Sequence, residues 1–243
     1  MNKVKSISLS IPWRTFGSLI RYNLKVVFGN KFVYFLGASL IFYLLITSIN
    51  FFSKNSIATV EGVYYQLMFP AFLLIFFPTT YGIQNDEDAR ILEILFGIPN
   101  YRYKVWLVRI VMTLFMVFWF IFLMANLSSV ILTNVPTWQI TLRLMVPVTL
   151  FGMLGFCFST VVKNGNGSAV IVVIIGLVVW ILSDFISESS WNIFLNPFDL
   201  PGNMSENVWA TVVGKHQRTW LIVSVVAGLW GLLNLQQREK FIK

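Results

Sequence analysis

Residues 63–83 read VYYQLMFPAFLLIFFPTTYGI. The stretch carries no Lys, Arg, Asp or Glu, and its apolar residues fall on every side of a helix. A helix needs about 20 such residues to cross the hydrocarbon core of a bilayer. A barrel strand would instead alternate over segments of about ten. The stretch therefore predicts a membrane-spanning helix.

The rest of the chain has the same character. Of 243 residues, 57% are hydrophobic and 12% are charged, and the mean hydropathy is +0.74. A soluble domain carries about 25% charged residues. A chain this poor in charge cannot cover itself with a polar surface, so lipid must be part of its solvent. Five further apolar runs lie at 32–52, 105–127, 140–162, 169–186 and 216–235. The expected fold is an all-α integral membrane bundle of six transmembrane helices in one domain, 1–243. The first run begins 31 residues in and lacks a small-residue cleavage pattern, so it reads as a span rather than a signal peptide.

Net charge is +8. The basic residues flank the apolar runs, so they point to orientation and anionic lipid rather than to nucleic acid. With the N-terminus inside, fourteen Lys and Arg fall on the cytoplasmic side and four (Lys54, Arg143, Lys215, Arg218) on the outer side. Both termini are expected in the cytoplasm of a multi-pass protein of the cell membrane. The lone cysteine, Cys157, allows no internal disulfide and no Cys-based metal site.

Before the first run, residues 10–28 predict an interfacial helix. Trp13 and Phe16 recur with Ile20, Leu24 and Val27 on one side, and Arg14, Arg21 and Lys25 follow on the other. The alternative is an ordinary helix packed on a partner. Between the last two runs, residues 187–215 hold Trp191, Phe194, Phe198 and Trp209 around the motif NPFDLPG. A merely solvated loop would not carry these aromatics, so short interfacial or re-entrant helices are expected.

Immediately after the opening stretch come residues 85–106, NDEDARILEILFGIPNYRYKVW. Four of the ten acidic residues, Asp86, Glu87, Asp88 and Glu93, sit here. Acidic residues favour a helix start. Ile91, Leu92, Ile94 and Leu95 would give that helix an apolar side, and Gly97 and Pro99 would end it. The pattern predicts a short amphipathic helix over 85–101 that exposes charge to the cytosol, with Glu93 held by a nearby Arg or Lys. The alternative is a solvated turn kept out of lipid by its charges.

This layout resembles the permease subunits of ABC-2 type exporters. That family has six spans, an N-terminal interface helix and a cytoplasmic coupling helix between spans two and three. Glu87, Leu92-Glu93-Ile94-Leu95, Pro99, Arg102 and Arg109 match its loose coupling pattern; Arg90-Ile91 stands where the family often has Gly-Thr. NPFDL looks like its extracellular re-entrant region. The resemblance implies a translocation path coupled to a separate ATPase through Asp86, Glu87, Asp88, Arg90, Leu92, Glu93, Leu95, Pro99 and Arg102. It also implies two ATPase copies carrying ATP and Mg, and a second permease chain, identical or related. The chain holds no GxxxxGK[ST] loop, so it is not expected to be the ATPase or any enzyme.

Other residues are open to two readings. Pro70 and Pro78 can make the second span flex or simply kink it. Phe76 and Phe118 belong to an aromatic crowd that can line a pathway or pack against lipid. Arg109 and Arg143 can snorkel to opposite membrane faces, Asp184 belongs at the headgroups, and His216 reads as interfacial. A scaffold that anchors a cytoplasmic protein is the alternative function. An intramembrane enzyme fits less well, since His216 is the sole histidine.

Overall fold

The computed structural model describes residues 31–52, 59–88, 90 and 102–235. The expected interfacial helix at 10–28, and with it Trp13, Arg14, Phe16, Arg21 and Lys25, lies outside the described residues. So do Leu92, Glu93, Leu95 and Pro99.

Every regular element among the described residues is helical. In order they are α1 (Lys31–Phe52), α2 (Val60–Thr80), α3 (Gly82–Asp88), a π-helical stretch (Arg102–Leu107), α4 (Val108–Ile131), α5 (Thr137–Val162), α6 (Gly165–Ser183) and α7 (Glu206–Asn234). Among the described residues, five helices are long and apolar enough to cross a membrane: α1, α2, α4 with the end of the π-helical stretch, α5 and α6. This is the make-up of a multi-pass membrane protein. Their outward side chains agree: Ile41, Leu45, Ile49, Val130, Ile174 and Ile181 are each more than half exposed, which lipid tolerates and water does not.

The last helix, α7, differs from the expected sixth span. It begins at Glu206 rather than at 216 and runs for 29 residues. Lys215, His216 and Arg218 interrupt its apolar character, and it is not among the five.

α5 is the hub. Both α2 and α7 pack extensively against it, and glycines allow the approach. A Cβ on Gly152 or Gly155 would collide with Ile75 or Thr79 of α2. One on Gly228 or Gly231 of α7 would collide with Met153 or Phe156 of α5. Apolar helices gain little hydrophobic drive from association in lipid, so close van der Waals packing over small residues supplies the adhesion. Polar links supplement it. Tyr43 Oη donates to the Met124 carbonyl at 2.9 Å, Ser39 Oγ donates to the Pro70 carbonyl at 3.0 Å, and Gln66 bonds both Thr47 and Asn50. Pro70 and Pro78 lie inside α2 without ending it.

The bundle has two distinct ends. One carries α3, the starts of α4 and α6, and the close of α7. The other carries residues 184–205, which fold as linked turns where short helices were expected. This segment is wedged into the bundle. Asn196 Nδ2 donates to the Glu61 carbonyl, and Arg143 Nη1 and Trp209 Nε1 both donate to the Pro197 carbonyl. Phe194 packs on Phe72 and Phe151. Phe72 is twelve residues past the start of α2, or about 18 Å along its axis at 1.5 Å per residue.

Candidate functional site

The acidic cluster occupies a different place from the one its composition predicts. Asp86, Glu87 and Asp88 form the last turn of α3, not the first turn of a new helix. The chain then turns at Arg90, which has a left-handed φ of 55°. The helix that holds the cluster therefore ends at Asp88 instead of beginning there, and residues 91–101 of the expected helix lie outside the described residues. The physical reason lies in Asp86, which is 4% exposed and turned into the bundle rather than toward solvent. Its Oδ2 meets Arg109 Nη1 at 2.8 Å.

Arg109 does not snorkel. It is buried, its guanidinium lies 4.5 Å from the Trp106 ring centroid, and Trp106 packs against Phe156 of α5. Burial pushes the Asp86 carboxyl above the usual carboxylate range, and Arg109 pulls the other way. A buried pair of this kind contributes little net stability, yet removing one partner strands a charge. It acts as a clamp between α3 and α4. Of the other residues expected to couple, Glu87 is half-buried, Asp88 and Arg90 are exposed, and Arg102 opens the π-helical stretch.

A second set of contacts joins α3, and the Tyr81 turn just before it, to α6. The Gly165 amide donates to Gln84 Oε1 at 2.5 Å, and Tyr81 Oη donates to Asn166 Oδ1 at 3.0 Å. The turn that presents Gly165 is built locally. Lys163 ends α5 with φ 60°, and Asn164 caps α6 by accepting from the Gly167 amide. Gly165 has to be glycine, because a Cβ there would run into Tyr81 and Gln84. By itself the sequence VKNGNGS at 162–168 shows only turn chemistry. The polar side chains of Tyr81 and Gln84 opposite it were the missed signal.

Towards the other end, α2 and α6 separate around a cavity of about 980 Å³. Phe69, Phe72 and Phe76 line one wall, and Val173, Leu177 and Trp180 the other. The wedge contributes Phe194, and the mouth carries Asp184, Glu188, Asn192 and Asp199. Its size is at the top of the roughly 300–1,000 Å³ range of small-molecule sites.

Of the expected pathway residues, Phe76 lines the cavity and Phe118 does not. Phe118 belongs to a separate aromatic group with Trp119, Phe122 and Trp138. Pro70 and Pro78 lie on the cavity-forming helix but not in the lining.

Three polar residues change character. Arg143 anchors the wedge, through the Pro197 carbonyl and a guanidinium 4.8 Å from the Phe198 ring centroid, instead of reaching for headgroups. His216 is 1% exposed, packed inside the protein; it lies beside the backbone of Asn192 and Ile193 without a hydrogen bond of normal geometry. Asp184 sits on the cavity mouth.

No family model, curated protein or solved structure matches the chain.

Proposed function

We propose that this chain is the permease subunit of an ATP-binding-cassette exporter in the cell membrane. It pairs with a second permease chain and couples, through the loop after α3, to two copies of an ATPase that carries ATP and Mg. In this reading α7 is the sixth span, both termini are cytoplasmic, and the 184–205 wedge is re-entrant from the outer face.

One observation carries the proposal. The two walls of the cavity, α2 and α6, converge at their far ends on α3, through the Tyr81 turn and through the Gln84–Gly165 and Tyr81–Asn166 bonds. The buried Asp86–Arg109 pair fastens the same short helix to α4. A push on the loop that follows α3 therefore reaches three helices at once. Rigid elements with packed contacts transmit such motion where a loose loop does not. A membrane anchor would need neither this linkage nor a cavity.

The test is Glu93→Lys, with the chain co-expressed with each candidate ATP-binding-cassette ATPase of its own genome. Loss of ATPase association, with the permease still correctly inserted, is the expected result. Association and transport that both survive unchanged would refute the coupling role.

A further inference from the structure

We infer that the cavity between α2 and α6 binds a lipophilic organic cation, an apolar or aromatic body bearing an ammonium-type charge. The inference rests on the exporter reading only for calling this ligand the cargo.

The cavity is graded along its length. From Val172 to Asp184 the lining face of α6 runs twelve residues, about 18 Å. That is more than half of a hydrocarbon core about 30 Å thick. The deep part is aromatic and aliphatic. The mouth gathers three carboxylates, those of Asp184, Glu188 and Asp199, and no Lys, Arg or His is among the described residues of the lining. In a chain of net charge +8 with ten acidic residues, this local sign is opposite to that of the whole.

The acidic mouth excludes anionic amphiphiles by like-charge repulsion and draws in cations. Aromatic faces just below it act in the same direction. Tyr65, Trp180 and Trp209 line the cavity, and aromatic rings attract desolvated ammonium groups through their quadrupoles. Glu188 is already positioned by the Asn203 amide, at 3.0 Å. An anionic lipid would find no counter-charge among the described residues of this lining.

Tetraphenylphosphonium and tetraphenylborate share shape and apolar surface and differ in sign. Equilibrium dialysis of each against the purified chain in neutral maltoside micelles, with protein-free micelles as the blank, isolates the head-charge effect. The cation is expected to bind about tenfold tighter than the anion, three exposed charges contributing modestly each. The preference should weaken as salt rises from about 0.05 M to about 0.5 M.

The variant Asp184→Asn/Glu188→Gln/Asp199→Asn, all at exposed positions, should remove the preference while remaining monodisperse. Gly176→Leu should weaken both ions, since Gly176 lines the cavity and a Cβ there makes only ordinary contact with Phe151. Equal retention of both ions, the result if membrane lipid is the sole occupant, would overturn the inference; so would a preference that survives the triple substitution. Binding that persists while ATP-driven transport fails would sink the exporter reading alone.

Discussion

Asp86 and Arg109 are twenty-three residues apart and close one buried ion pair. Asp86→Ala would leave the Arg109 guanidinium buried beside Trp106 with no carboxylate, at a cost of about 3–5 kcal/mol. Thermal unfolding in micelles should show that loss, and Asp86→Leu/Arg109→Leu should recover most of it.

The pair also makes a pH prediction. Burial raises the folded-state pKa of Asp86 above its unfolded value. The folded protein then holds this proton more tightly than the unfolded chain does. The stability it contributes is complete below the unfolded pKa and is lost as pH rises through the folded one. Arg109 opposes the rise, so Arg109→Leu should move the falling limb of the stability–pH curve to higher pH. Asp86→Asn should erase that limb. Unfolding followed across the acid range tests both.

At the scale of elements, the wedge at 184–205 and the turn at 163–166 have no continuous backbone ladder and depend on individual bonds. Asn196 makes two of them, donating to the Glu61 carbonyl and accepting from the Phe198 amide. Asn196→Ala should cost about 1–3 kcal/mol, since it leaves buried groups unpaired, and should speed proteolysis within 184–205. Gly165→Val should cost a similar 1–3 kcal/mol through overpacking against Tyr81 and Gln84. It should register as a lowered unfolding temperature.

Much at this scale is readable from residue order. The spans at 32–52, 63–83 and 140–162 fall within three residues of α1, α2 and α5 at each end, because a long uncharged run has few ways to fold in lipid. The start of α7 was not readable. Glu206, Lys215 and Arg218 look like loop chemistry, yet Trp209, Val213 and His216 lie buried along the same helix. The acidic cluster misled for a related reason. Its composition suits a helix start, but the position of Asp86 is decided by Arg109, which becomes a neighbour only when α3 folds back on α4.

For the whole molecule, the prediction concerns linkage. Tyr81→Phe/Gln84→Ala removes the side-chain bonds that Gln84 of α3 and Tyr81, just before it, make to the start of α6. On the exporter proposal, ATPase association should survive, because these positions precede the proposed docking loop, whereas transport should fall by about fivefold or more, the lower range of typical coupling energies. Parallel co-purification and transport assays separate the two effects. Loss of association instead would mean that α3 itself is the docking surface.

Residue order by itself determined that the chain is a helical membrane bundle, since hydropathy and length are local properties that lipid reads directly. It also marked out the aromatic segment between the last two helices. Only the tertiary structure decided which charges face each other. Asp86 joins Arg109, Arg143 holds the wedge, and Asp184, Glu188 and Asp199 collect around one opening. The reason is that electrostatic and hydrogen-bond partners are chosen by distance in space, and helices packed through Gly152, Gly155, Gly228 and Gly231 bring together residues that the chain keeps far apart.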